Sequence, residues 1–176
     1  QSRSSAASDV YKRQAQIKKN HKYSVSKGIH GLRNAIAKKY LREYKINLDP
    51  GKNVVNTIGS KEGLTHLLMS VLNKGDNVVV QDPSYPIHHY APLIAGAKVI
   101  KIDCLSSENF LNNLNITLKS KKIKVVLVSF PHNPTTLTVN QEFYDELVSL
   151  AQRYNFLIIN DFAYSCLLYT SPSPRD

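Results

Sequence analysis

Ile123-Lys124-Val125-Val126-Leu127-Val128-Ser129-Phe130, running into Pro131-His132-Asn133-Pro134-Thr135-Thr136, is the stretch that decides the fold. Apart from Lys124 and Ser129, every residue of 123–130 is apolar, so a strand here has both faces covered. The two prolines and the asparagine then force a loop. Thr138-x-x-Gln141 has capping-box spacing, and Phe143, Leu147, Leu150 and Tyr154 follow at helical intervals. Phe156–Ile159 is a second apolar strand, leading into Asn160-Asp161-Phe162-Ala163-Tyr164. Strand, loop, helix and strand in that order make a βαβ unit with parallel strands.

The same alternation extends upstream. Strands are expected at Lys98–Ile102, at Val78–Gln81 and at Val54–Ile58, the last ending at Gly59. Helices are expected over Phe110–Leu118, where asparagines dilute the pattern, and over His88–Ala95, closed by Gly96. Ser60–Asn73 should be a helix with Ser60 as N-cap, Leu64, Leu67, Leu68 and Val71 buried, and Gly75 beyond its end. Gly28–Tyr44 carries Ile29, Leu32, Ile36, Tyr40 and Tyr44 on one helical face. The fold class is α/β: an incomplete, mostly parallel sheet with flanking helices. No internal repeat or low-complexity segment interrupts it.

Composition excludes several classes. At 176 residues and 42% hydrophobic content, the chain suits one globular domain and is too apolar for global disorder. No apolar run approaches the roughly 18 residues of a membrane span, and no signal-peptide pattern opens the chain. Two cysteines make neither a disulfide framework nor a four-cysteine metal site, so a cytoplasmic location is the default.

The two ends share a hidden relationship. Asp9–Gln14 can be encoded by GATGTGTATAAGAGACAG, whose reverse complement, read one base out of frame, encodes Cys166-Leu167-Leu168-Tyr169-Thr170 and begins Ser171. One DNA sequence in inverted orientation looks like the transposon end of a sequencing library. Residues 1–14 and 166–176 are therefore expected to be non-native, adaptor-derived tails around a native 15–165, truncated at both ends. The net charge of +10 includes Arg3, Lys12, Arg13 and Arg175 against Asp9 and Asp176. The interior thus keeps 19 basic and 11 acidic residues, or +8, scattered except at Lys119–Lys124. That pattern reads as a solvated surface, with no nucleic acid or membrane partner expected. Cys104 is left alone.

In open α/β sheets, ligands bind beyond the carboxyl ends of the strands. Unusual chemistry follows four of the five expected strands. Gly59-Ser60-Lys61-Glu62 offers helix N-terminal N–H groups and a hydroxyl to an anion. Tyr85 lies between Pro83 and Pro86, Asn133 between Pro131 and Pro134, and the last strand delivers Asp161 and Tyr164. Together they suit a phosphorylated aromatic ligand with a basic ring nitrogen and a phenolate oxygen. No G-x-G-x-x-G follows a strand, which disfavours a dinucleotide. His88, His89 and His132 have no carboxylate or cysteine at metal-ligand spacing and read as packing or loop histidines. No metal is expected. Tyr40, Tyr44 and Tyr154 read as core and interface.

At these residues the sequence resembles the pyridoxal-phosphate aminotransferases of classes I and II, enzymes of fold type I, across 15–165. The motifs are Tyr23-x-x-x-x-Gly28 with Leu32-Arg33-x-Ala35-Ile36-Ala37, Gly59-Ser60-Lys61-Glu62-Gly63-Leu64, Pro83-x-Tyr85-Pro86-Ile87-His88, Phe130-Pro131-His132-Asn133-Pro134-Thr135 and Asp161-x-Ala163-Tyr164. The second and third look most like the alanine and LL-diaminopimelate aminotransferase branch. The resemblance implies part of the family's large domain, pyridoxal 5'-phosphate as cofactor, amino acid and 2-oxo acid substrates, and a homodimer.

It also implies roles. Ser60 and Lys61 would hold the cofactor phosphate, and Tyr85 would stack on the pyridine. Asp161 would pair with the ring nitrogen, and Asn133 and Tyr164 would bond the ring hydroxyl oxygen. Tyr23 would reach the neighbouring subunit's phosphate. Two departures stand out. Thr136 replaces the glycine of the family's Asn-Pro-Thr-Gly, and no lysine follows Asp161, where the family's Schiff-base lysine lies. The arginine for the substrate carboxylate and two sheet strands are also absent. No catalytic residue is therefore expected in the chain, which should be inactive alone. Another fold-type I enzyme, such as a C–S lyase or decarboxylase, or the aminotransferase-like half of a transcription regulator, would share every motif.

Overall fold

Val78, Val79, Val80, Val125, Val126 and Val128 are completely buried, as strands covered on both faces require. They form the middle of a sheet in the computed structural model, which describes residues 10, 12–21 and 25–164. After a short 3-10 turn at Lys18–His21, the elements are α1 (His30–Tyr44), α2 (Ser60–Val71), β1 (Asn77–Asp82), α3 (Pro86–Ile94), β2 (Lys98–Asp103), α4 (Ser107–Ser120), β3 (Val125–Val128), α5 (Gln141–Tyr154) and β4 (Leu157–Asn160). The chain divides into two compact units between Ile58 and Gly59.

The second unit is the expected α/β architecture. Its strands lie in the order β2-β1-β3-β4, and every pair is parallel. Successive residues of a strand face opposite sides, and β1 shows it. Val78 and Val80 pack with Leu64, Leu68, Leu72 and Ala91 of α2, α3 and their flanks. Val79 packs with Phe110, Leu114, Phe143 and Leu147 of α4 and α5 on the other face. The Phe130 and Phe143 rings meet edge to face at 5.0 Å between centroids, a geometry that adds about 0.5–1.5 kcal/mol beyond their buried area. No helix among the described residues is long and apolar enough to cross a membrane.

The strand order places the site. The chain leaves β1 for one neighbour, β2, then returns across the sheet to β3 on the other side. The carboxyl ends of β1 and β3 thus flank a switch in winding direction, where such sheets have an open crevice.

Several local expectations need correction. Segment 54–58 forms no strand: the Asn56 N–H donates to the Lys27 carbonyl at 3.0 Å, and Val55 and Ile58 are exposed. Ser60 is the first helical residue of α2 rather than its cap, which is Gly59 at φ 87°. The cap of α5 is Asn140, whose side chain accepts from the Phe143 N–H at 3.1 Å, so Thr138-x-x-Gln141 is not a capping box. Asn140 wins because its short amide sits in extended backbone one residue before the helix.

The first unit turns α1 away from the expected face. Arg33 is buried and donates to the carbonyls of Gly28 and Pro50, which directs the Arg33–Ala37 face inward. Ile29, Leu32, Tyr40 and Tyr44 are left exposed, so this tyrosine pair is no part of a core among the described residues. Gly28 precedes the helix at φ 87°, where a Cβ would meet Asn56 at 2.5 Å; only glycine fits.

Candidate active site

Each strand end at the crevice delivers its side chains through a different local device. After β1, Tyr85 is the N-cap residue of α3, with Pro86 in the first turn behind it. That start of a helix places His88 one turn further on, buried, with its ring edge-on to Tyr85 at 6.0 Å. After β4, the Asp161 N–H donates to the Val128 carbonyl at 2.8 Å, which fixes the backbone at the strand end. The Asp161 Oδ2 lies 2.8 Å from His88 Nε2. A carboxylate can only accept, so this contact puts a proton on Nε2.

The His88 bond holds the Asp161 carboxyl below the usual carboxylate range, against the opposing effect of burial. The group therefore stays negative at the floor of the crevice. His132 is also buried, with Nδ1 2.7 Å from Thr135 Oγ1. Burial, and then the nearby His88, lowers its pKa and keeps it neutral.

After β3, Asn133 donates from Nδ2 to Tyr164 Oη at 2.9 Å. Pro131, His132, Asn133, Pro134, Thr136, Thr138 and Tyr164 line a cavity of about 420 Å³ beside this pair. Thr136, in the glycine position of the motif, takes the left-handed conformation at φ 60°. Its N–H donates to the His132 carbonyl at 2.7 Å and closes the turn. The Lys61 ammonium lies over the Tyr85 ring, 5.3 Å from its centroid, which joins the start of α2 to the rim. Ser60 and Lys61 are exposed in the first turn, before the i→i−4 ladder begins.

Of the residues marked in the sequence, Lys61, Tyr85 and Asp161 are thus joined through His88, and Asn133 and Tyr164 are joined by their own hydrogen bond. Ser60 stands beside Lys61, and Tyr23 lies outside the described residues.

A profile of the family "aminotransferase class I and II" matches residues 3–176. The chain belongs to this family. The glutamate-pyruvate aminotransferase AlaC of Escherichia coli is 42% identical over 157 residues, which cover 88% of the chain and 38% of the relative. An LL-diaminopimelate aminotransferase of Halothermothrix orenii is 37% identical over 147 residues, covering 82% and 38%. Among solved structures, aspartate aminotransferase from Thermotoga maritima superposes with a TM-score of 0.76 at 34% identity, covering 89% of the chain and 41% of its own. The chain thus spans about two fifths of the length of these relatives.

Class I and II aminotransferases work with pyridoxal 5'-phosphate, and the donor set of this crevice fits that group. An anionic carboxylate suits a protonated ring nitrogen, an amide–phenol pair suits a phenolate oxygen, and an aromatic face suits the ring. The sequence reading missed His88, which it assigned to packing. The one available signal was its position three residues after Tyr85, which puts both on one face of a helix start. The His89 ring lies beside that of Tyr90, 5.2 Å between centroids.

Proposed function

We propose that the protein is a pyridoxal-phosphate aminotransferase that moves an amino group between an amino acid and a 2-oxo acid. The observation that carries this reading is Asp161, an ionised carboxylate just past β4 that is held by His88 of α3. When bound, the cofactor supplies an electron sink conjugated to the amino acid's Cα. Asp161 would hold a proton at the pyridine nitrogen, and His88 would keep Asp161 from taking that proton itself. Asn133 and Tyr164 would bond the ring oxygen, Tyr85 would cover the ring face, and Ser60 and Lys61 would bind phosphate at the start of α2.

The substrate class follows the glutamate-pyruvate and LL-diaminopimelate relatives, which supports an alanine- or diaminopimelate-type donor. The full-length protein would act as a cytoplasmic homodimer, with Tyr23 crossing to its partner. Residues 15–165 would be native, and the chain itself, with no lysine after Asp161, would bind the cofactor without turnover.

The test is titration of the 176-residue chain with pyridoxal phosphate, followed by ligand absorbance and tyrosine fluorescence. Saturable binding that Asp161→Asn weakens supports the reading. Absence of saturable binding, or binding indifferent to Asp161→Asn, refutes it.

A further inference from the structure

Gln81 sits two residues before Pro83 in β1 and is 1% exposed. A buried primary amide is costly unless both its ends are bonded. Its Oε1 accepts the backbone N–H of Ser129 at 2.7 Å, and its Nε2 donates to Cys104 Sγ at 2.8 Å. The orientation is forced, because a backbone N–H can only donate and so must face the amide oxygen. Burial pushes the Cys104 thiol up to about 11, so the sulfur stays a neutral acceptor.

The location of these bonds matters more than their number. The pairing of β1 with β3 ends at Val80 and Leu127. At Ser129, one residue past β3, the Gln81 side chain takes the place of the next rung of the ladder. Cys104, one residue past β2, is joined to β1 from the other side, where its own N–H donates to the Asp82 carbonyl at 2.9 Å. One amide therefore ties the carboxyl ends of three strands together beneath the crevice. Four residues after Gln81 comes Tyr85, and four after Ser129 comes Asn133.

We infer that Gln81 is a positioning residue of the candidate site: its bond to Ser129 sets the Asn133 loop against the Tyr85 loop. This inference rests on the proposed cofactor site, and nothing in the family's motifs includes the residue.

The test uses the full chain and three variants. Gln81→Met keeps length and bulk but removes the acceptor for Ser129, whereas Cys104→Ala removes only the sulfur side. Without cofactor, Gln81→Met should speed exchange of the Ser129 amide about tenfold and shift the Asn133 side-chain NMR signals. Its dissociation constant for pyridoxal phosphate should rise about tenfold, while Cys104→Ala stays within about twofold of the parent. Unchanged Asn133 signals in a folded Gln81→Met variant overturn the inference. So does equal weakening by Cys104→Ala, which marks general destabilisation instead.

Should Gln81→Met not fold, Gln81→Glu decides the matter, since it keeps an acceptor oxygen in place. Retained Asn133 signals support the role, and their loss overturns it. If the parent chain binds no pyridoxal phosphate, the proposed function falls, yet the Asn133 comparison still decides the role of Gln81.

Discussion

Replacing His88 with leucine removes the donor to Asp161 while filling most of the same enclosed space. The carboxylate, 18% exposed in the parent and too buried for full solvation, would then face an apolar group in place of the imidazole. A hydrogen bond to a charged group contributes about 1.5–3 kcal/mol, and an orphaned buried acceptor adds to the loss, so a destabilisation of about 2–3 kcal/mol at pH 7 is expected. In urea, with a slope near 2 kcal/mol/M for a chain of this size, the midpoint should fall by about 1–1.5 M. The pH dependence supplies a second reading. Because the folded pKa of Asp161 is depressed, its stabilisation is present above the unfolded value near pH 4 and is lost as pH falls through the folded value. Without His88, burial remains as the largest influence and raises the carboxyl, so the acid branch of the stability curve should move to higher pH. Urea unfolding between pH 3 and 8 measures both effects. A midpoint and acid branch equal to those of the parent would refute the view that His88 keeps Asp161 ionised.

Thr136→Gly should stabilise the chain by about 0.5–1 kcal/mol in urea unfolding: relief of a β-branched residue at φ 60° outweighs glycine's extra chain entropy. Destabilisation would show that the turn depends on the threonine side chain, whose hydroxyl donates to the Thr135 carbonyl at 2.6 Å. Phe110→Ala, at a completely buried ring between α4 and α5, should cost about 3–5 kcal/mol, read as a lower thermal midpoint. Borohydride reduction with pyridoxal phosphate should give no stoichiometric adduct at a single lysine; one at Lys61 by peptide mapping would contradict the phosphate-binding role assigned to that residue.

The parts of the fold legible in the sequence are those set by local pattern. Val125–Val128, α5 and β4 follow from an apolar run and from Phe143, Leu147 and Leu150 at helical spacing; Val125–Val128, these three residues and Ile159 are buried. Patterns misled where a polar group took the inward position. Arg33 turned α1, because two backbone carbonyls that bind a guanidinium are invisible in a hydrophobicity pattern. Segment 54–58 had strand-forming residues but no neighbour to pair with among the described residues. Tyr85, Asn133 and Asp161 were legible as site candidates because each follows a strand end. His88 was not, since its role depends on a partner 73 residues away.

The two bonds that sequence reasoning could not supply share a physical role. Backbone ladders end at the strand termini, and the crevice at the winding switch lies beyond them. His88 to Asp161 spans the gap from α3 to β4, and Gln81 to Ser129 spans it from β1 to β3. Side chains therefore hold the rim where backbone pairing has run out. Such bonds can be removed one at a time without breaking the sheet below, whereas Phe110→Ala weakens that sheet without touching the rim. The geometry of the site and the stability of the fold should accordingly respond to different substitutions. Phe110→Ala should lower the thermal midpoint while the Asn133 signals keep their positions in the folded state, and His88→Leu should perturb the Asp161 titration at any temperature where the chain is folded.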